Sequence, residues 1–268
     1  MPRRLVLCAD DFGFSPAVSR VIADLAVAGR LNATGCMTAM PGWPADAAML
    51  RDVPAGVQTG VHLTLTLEAP LTRMPRLAPA GVLPGIADLG RRAHRRDPGL
   101  PLDEVAAEVA AQLDRFAQTM GRAPDFVDAH QHAHVLPGLR EVVLDAVAAW
   151  APAAWVRDCT DRAAALLARP WRGKAAASAW RSRGLSAAAA ARGLATNRGF
   201  AGHYGFAGDY RAIFPRFLAA PGDVHLVMCH PGAGDRPGDA IAAARVAEAA
   251  ALATLPVADL AAAHGLAF

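Results

Sequence analysis

Short apolar runs that end in polar, chemically active side chains recur along this chain. The first covers residues 4–9 and stops at two adjacent carboxylates, Asp10 and Asp11. Such runs of β-prone residues predict buried parallel strands. Three later runs end in or contain histidine, at residues 57–65, 125–134 and 223–232. Because strand ends that carry such groups converge at the top of a (β/α) barrel, we expect an α/β fold, a barrel with parallel strands.

Helical patterns alternate with these runs. Ser15 and Pro16 predict the N-cap and first turn of a helix over residues 18–28. A β-like run at 31–40 and a short helix at 45–51 follow. Apolar residues at helical spacing predict a long helix over 102–120 that Gly121 closes. Further helices are expected at 137–150, 209–218 and 240–252, which completes the rhythm of a parallel sheet with crossover helices.

Three segments carry little periodicity. Residues 68–101 are rich in Pro, Gly and Arg, and we interpret them as a loop that walls the site. Residues 157–195 predict irregular helices that cover the barrel. The glycines and aromatic residues of 196–206 suit a binding loop. We therefore expect one catalytic domain over residues 1–268, with a lid or insertion at about 157–206.

Composition narrows the class of protein. Hydrophobic residues make up 53% of the chain, but alanine supplies much of this, and the net charge of +3 is mild. A basic cluster at Arg91, Arg92, Arg95 and Arg96 lacks interleaved aromatics, so we interpret it as a solvated loop and expect no nucleic-acid partner. The four scattered cysteines predict reduced core residues. With no signal-like or membrane-spanning apolar segment, we expect a cytoplasmic protein.

Asp10 and Asp11 are the first candidates for chemistry. Neighbours in a regular strand point to opposite faces. Where a strand turns into a loop, both can face one cavity, so that one carboxylate binds a cation and the other acts as a base. The alternative is that one of them caps the following helix.

Histidines supply the remaining candidates. His62 lies inside an apolar run, where a core histidine is the alternative interpretation. Asp128, His130, His132 and His134 share one parity and would face one side of an extended strand, where a divalent metal would satisfy them. The competing interpretation is that His132 and His134 are ordinary loop residues. His230 precedes Pro231, which fixes it at a strand rim as a general acid or as a mere cap.

A carboxylate with two imidazoles leaves open coordination positions, which is typical of a catalytic metal site. Such mixed ligands tolerate Zn, Mn, Co or Mg. The metal can polarise an amide carbonyl and lower the pKa of bound water from ~15.7 towards ~7.

Taken together, the motifs 9–13, 60–62, 128–134 and 229–232 resemble those of the YdjC-like carbohydrate deacetylases. The resemblance implies a NodB-like, distorted (β/α) barrel that removes acetyl groups from N-acetylated sugars with one divalent metal. It implies Asp11, His62 and His130 as metal ligands and Asp10 as general base. Gln131 stands between the first two histidines of the family's motif and leaves the assignment of His130 intact. Residues 157–195 match nothing in the family, so the substrate stays open.

We therefore expect hydrolysis of an acetamido group on a chitooligosaccharide or a glycolipid head group. His230 would protonate the departing amine. Residues predicted to contact the sugar are Phe200, His203, Tyr204, Phe206, His132 and His134, with ordinary packing as the alternative. A metal-dependent hydrolase of another bond and a catalytically silent sugar-binding protein are the competing functions. An Ala-rich surface helix is compatible with a homodimer.

Overall fold

The computed structural model describes residues 3–268. Its sheet contains eight strands, which are β1 (Arg3–Phe12), β2 (Ala33–Cys36), β3 (Gln58–Leu63), β4 (Phe126–Ala129), β5 (Trp155–Val156), β6 (Phe200–Ala201), β7 (Val224–Cys229) and β8 (Leu266–Ala267). The helices are α1 (Pro16–Val27), α2 (Trp43–Asp46), α3 (Ile86–His94), α4 (Leu102–Met120), α5 (Leu139–Trp150), α6 (Ala163–Ala168), α7 (Arg172–Arg181), α8 (Leu185–Ala190), α9 (Tyr210–Phe217), α10 (Ala242–Leu252) and α11 (Val257–Ala263). Two 3₁₀ helices cover Ala47–Arg51 and His130–Val135.

The sheet curves towards closure. Its strand order is β5-β4-β3-β2-β1-β7-β6, with β8 added to the start of β1, and every pairing is parallel. A single parallel bridge between Val156 and Thr196 connects β5 with the segment before β6. The expected α/β fold with parallel, barrel-forming strands is confirmed. Because β1 lies between β2 and β7, its residues from Leu5 onwards are buried.

The strongest helical patterns are found where the sequence placed them. The Ser15 hydroxyl accepts a hydrogen bond from the Val18 N–H at 3.1 Å and caps α1. Helix α4 ends at Gly121, whose φ of +68° lies in the left-handed region that glycine tolerates. Caps and a wide apolar stripe are local features, so the sequence alone determines these boundaries.

Two weakly periodic regions differ from expectation. The predicted strand at 31–40 is extended only over Ala33–Cys36, because the chain turns through a hydrogen bond from Met40 N–H to the Met37 carbonyl at 3.2 Å. The predicted loop at 68–101 contains α3, which buries only Leu89 and Ala93. So narrow a buried stripe leaves little periodic signal. The basic cluster therefore begins on a helix.

The segment 157–206 holds three short helices, α6 to α8, followed by β6. Irregular helices were expected here, but Phe200 lies on a strand rather than in a loop. The four cysteines are free and buried, as predicted. Within residues 3–268 no single helix has the length and hydropathy of a membrane span, and α10 with α11 reaches both only as a pair bent by 81°.

Candidate metal centre and active site

A bulge in β1 brings Asp10 and Asp11 to the same cavity. The pairing of β1 with β2 shifts register between Ala9 and Phe12, and Asp11 has a φ of +70°. This left-handed conformation costs a non-glycine residue about 1–2 kcal/mol, and a bulge redirects side chains that would otherwise alternate. Both aspartates line the cavity. Since Ser15 caps α1, helix capping explains neither of them.

Asp11, His62 and His130 form the candidate metal centre. The Asp11 Oδ1 atom lies 2.9 Å from His130 Nδ1 and 3.4 Å from His62 Nε2. Ligand atoms of the three residues all lie within 4.8 Å of one another. They come from the bulge in β1, from β3 and from the position directly after β4. The set of one carboxylate oxygen and two imidazole nitrogens fits a divalent metal with open coordination positions.

Two further residues orient these candidate ligands. Asp128 Oδ1 lies 2.6 Å from His62 Nδ1, and the Arg245 guanidinium donates to Asp11 Oδ2 at 2.8 Å. A carboxylate behind a ligating histidine is the usual support of a metal site. Burial lowers the pKa of His62, but Asp128 and Asp10 outweigh it and raise that pKa to about 10. The same anionic surroundings favour a divalent cation.

A second set of potential ligands, Asp10, His62 and Asp128, overlaps the first. Arg157 lies against both of its carboxylates, at 2.5 Å from Asp10 Oδ1 and 2.5 Å from Asp128 Oδ2. Its guanidinium donates to both oxygens of Asp10, whereas that of Arg245 donates only to Oδ2 of Asp11 and leaves Oδ1 facing the two histidines. Asp11, His62 and His130 are therefore the set whose donor atoms could hold a metal ion.

Asp10 is an ionised carboxylate beside that centre. Burial favours the neutral form of Asp10, but the nearby cationic groups, Arg157 first among them, outweigh burial and lower the pKa of Asp10 to about 2. The Asp10 Oδ2 atom lies 3.9 Å from His230 Nε2. Burial lowers the pKa of His230 to about 4, so this imidazole is neutral at neutral pH.

The cavity above these residues has a volume of about 840 Å³. Among the residues predicted to contact the sugar, His132, His203 and Phe206 line it. His203 has no hydrogen-bond partner within residues 3–268 at either ring nitrogen, and burial lowers its pKa to about 3. Neutral histidines with free nitrogens can donate to or accept from a polar ligand.

The other three predicted contact residues lie outside the cavity lining. Phe200 packs behind the wall, with its ring centroid 5.5 Å from that of His132. The Tyr204 hydroxyl donates to Glu248 at 2.5 Å. His134 is buried and bonds through Nε2 to the Arg157 carbonyl at 2.9 Å. These groups serve packing and internal hydrogen bonds, and their contact with a sugar stays a prediction.

Residues 128–134 do not form the extended strand on which Asp128, His130, His132 and His134 were expected to face one side. Strand β4 ends at Ala129, and Gln131 and His132 take left-handed conformations with φ of +54° and +58°. The chain turns at once, so alternation ends after His130. His132 reaches the cavity while His134 points into the interior.

Three residues of this site were missed in the sequence. Arg157 directly follows the two-residue strand β5. In the sequence, the only indication of its role was its position after two apolar residues. Arg245 and Glu248 lie on α10, where alanines on every face hide which side is buried. Glu248 accepts hydrogen bonds from Tyr204 and from the His230 backbone N–H.

Comparison with known proteins places this geometry in a family. The profile described as "YdjC-like protein" matches residues 4–263. A chitooligosaccharide deacetylase of Enterobacter sp. (strain 638) is 34% identical over 144 residues, covering 53% of this chain and 55% of the relative. A carbohydrate deacetylase of Mus musculus is 34% identical over 152 residues, covering 55% of this chain and 48% of the relative.

The alignments thus span about half the length of these curated relatives. Among solved structures, a protein of Enterococcus faecalis V583 whose proposed role is cellobiose-phosphate cleavage matches with a TM-score of 0.75. It is 20% identical, and the match covers 100% of this chain and 97% of that one, which shows the shared fold. Because the family profile covers nearly the whole chain, this protein belongs to the YdjC-like family.

Proposed function

We propose that the protein is a metal-dependent hydrolase that removes the acetyl group from an N-acetylated sugar. The observation that carries this is the cluster of Asp11, His62 and His130 beside the ionised Asp10, at the base of one cavity. The names of the relatives, chitooligosaccharide deacetylase and carbohydrate deacetylase, support the same reaction. A chitooligosaccharide or a glycolipid head group are the two substrates we expect.

Asp11, His62 and His130 would hold one divalent ion. Their oxygen and nitrogen donors suit Zn, Mg, Mn or Co. When bound, such an ion polarises a carbonyl and makes water more acidic at neutral pH. Asp128 and Arg245 fix the orientation of two of the ligands, so the donor atoms are preorganised.

Asp10 would accept the proton of the attacking water, because Arg157 keeps it ionised at working pH. A carboxylate with a pKa of about 2 is a weak base and passes that proton on readily. His230, 3.9 Å away and neutral at rest, is placed to receive it. His230 would then donate to the amine as the C–N bond breaks, leaving acetate and a free amino sugar.

Asp10→Asn tests the base. We expect turnover to fall by at least the roughly 10²–10⁴-fold that general base catalysis contributes, while metal binding by calorimetry is retained. Asp114→Asn on the exposed face of α4 is the matched control and leaves turnover unchanged. Near-native acetate release from Asp10→Asn would remove Asp10 from this role.

Hydrolysis of a phosphoester is the competing reaction. Two-metal phosphoesterases need a second set of ligands. Within residues 3–268 the only other grouping shares His62, and Arg157 holds its two carboxylates. Aryl phosphates assayed beside N-acetylglucosamine oligomers separate the two reactions, and sugar binding without any turnover would indicate a silent binding protein.

A further inference from the structure

The positive charge of this protein is concentrated in one segment. Residues 162–208 contain eight of the 27 basic residues and none of the 24 acidic ones, so the rest of the chain has a net charge of −5. Part of this charge is neutralised internally, since Arg169 pairs with Asp161 and Arg192 with Asp145. Four exposed cations on or beside α7 have no acidic partner within residues 3–268, namely Arg172, Lys174, Arg181 and Arg183.

The same segment exposes large apolar side chains. Leu167, near the end of α6, is 70% exposed. Trp171 directly precedes α7 and is 49% exposed, and Trp180, the next-to-last residue of α7, is 58% exposed. Exposed tryptophans beside aliphatic and basic residues are typical of surfaces that enter the membrane–water interface. We call this set, with the four cations, the α7 face: Leu167, Trp171, Arg172, Lys174, Trp180, Arg181 and Arg183.

The α7 face adjoins the mouth of the active-site cavity. Lys174 and Arg181 line the cavity from one side of α7. The Lys174 ammonium lies 5.0 Å from the ring centre of Phe206, which also lines it, and 5.8 Å from that of Trp171. Trp171 packs on Gly205, where a Cβ atom would lie 2.7 Å from the indole. Trp171 is therefore held at the rim, and the ring of Trp180 lies 5.3 Å from that of His94, which also lines the cavity.

We infer that the α7 face docks this protein on an anionic lipid surface, with the cavity mouth towards the bilayer. Lipid phosphates would neutralise the four unpaired cations, and the two indoles and Leu167 would enter the head-group region. A second copy of this chain fits less well, since pairing two α7 faces would bring two sets of these cations together. Charge complementarity thus favours the lipid surface.

Vesicle binding tests the docking of the α7 face without measuring catalysis. A failure of the docking proposal can therefore be told apart from a failure of the proposed reaction. The protein is mixed with phosphatidylcholine vesicles with and without about one third phosphatidylglycerol, and binding is measured by flotation and tryptophan fluorescence. We expect binding to the anionic vesicles only, a blue shift of the emission, and release by high salt.

Two variants address the two halves of the face. Each basic side chain near an anionic surface is worth about 1 kcal/mol, or about fivefold. Arg172→Gln with Arg183→Gln, both outside the cavity lining, should weaken binding about 25-fold. The control pair Arg20→Gln with Arg51→Gln, exposed on α1 and the first 3₁₀ helix, should leave binding unchanged.

Trp180→Ala should reduce the blue shift, because only Trp171 then remains to enter the head groups, whereas Trp150→Ala should not, although Trp150 is 53% exposed at the end of α5. Circular dichroism checks that each variant is folded. Absence of wild-type binding at low salt overturns the proposal. The proposal is also overturned if the control variants lose as much vesicle binding as the tested variants, or if the protein binds a single-stranded oligonucleotide in preference to vesicles. A dimer in sedimentation that Trp180→Ala dissociates would overturn it as well.

Discussion

Replacing Arg157 with methionine is the sharpest test of how the active site is held together. Arg157 is fully buried, and its guanidinium donates to Asp10 Oδ2 at 2.7 Å and Asp10 Oδ1 at 2.5 Å. Its Nη2 atom also lies 2.5 Å from Asp128 Oδ2. Methionine fills much of the same volume without charge, so Arg157→Met leaves two buried carboxylates without their cation.

The expected loss of folding stability in Arg157→Met is large. Removing one partner of a buried ion pair costs about 3–5 kcal/mol, because an uncompensated charge stays inside. At about 2.1 cal/mol/K per residue, the 268 residues give an unfolding entropy of about 0.56 kcal/mol/K. The melting temperature should therefore fall by about 5–9 °C. The pKa of Asp10 should rise, since Arg157 is the largest of the influences that lower it against the effect of burial.

Differential scanning calorimetry at pH 7 measures this shift. Arg192→Met is the matched control, because Arg192 pairs with the exposed Asp145 at the surface and should cost under about 1 kcal/mol. Adding Asp10→Asn to Arg157→Met should recover part of the loss, since one of the stranded charges is then removed. If Arg157→Met melts at the wild-type temperature, the buried guanidinium does not hold the site and our reasoning is refuted.

Three further predictions address the surroundings of the site. Asp128→Asn should weaken metal binding by about 10–100-fold in calorimetry, because it disturbs the support of His62; an unchanged affinity would contradict that support. Gly60→Ala should cost about 1–3 kcal/mol of stability, since the added Cβ would lie 2.6 Å from the Phe126 ring; an equal melting temperature would show that the ring yields freely. Glu248→Gln should flatten the pH dependence of stability, as measured by thermal melting from pH 5 to pH 8, and parallel wild-type and variant profiles would count against it.

The sign of the Glu248 effect follows from its raised pKa. Burial raises the pKa of Glu248 from 4.5 to about 7, so the folded protein keeps a proton that the unfolded chain releases. Stability is therefore lost as pH rises from about 4.5 to about 7, by about 3 kcal/mol at 1.36 kcal/mol per unit. The Glu248→Gln side chain would still offer a carbonyl oxygen to Tyr204 or the His230 N–H, but it has no proton to lose. The variant should thus gain on the wild type as pH increases.

The sequence was most informative where a local pattern has a physical cause. Apolar runs that end in Asp10, Asp11, His62 and His230 predicted strand ends at one cavity, and β1, β3 and β7 bring these residues there. The caps of α1 and α4 were equally visible. Such features depend on neighbouring residues alone, so no tertiary information is needed to recognise them.

The sequence was least informative where the fold itself creates the contact. Arg157 reaches Asp10 across 147 positions and Arg245 reaches Asp11 across 234, and neither arginine lies in a periodic pattern. The extended parity assumed for His132 and His134 failed because a left-handed turn follows His130. Strand β5 has two residues, too few to show alternation.

Acetate release with controlled metal content is the most direct test of the central claim. The purified protein is stripped of metal, supplied singly with Zn, Mg, Mn or Co, and incubated with N-acetylglucosamine oligosaccharides or an N-acetylglucosaminyl lipid. We expect acetate only after metal is added, and none from an Asp11→Asn variant under the same conditions. Acetate released at the same rate in the presence of a chelator, or undiminished in Asp11→Asn, would contradict a metal centre at Asp11, His62 and His130.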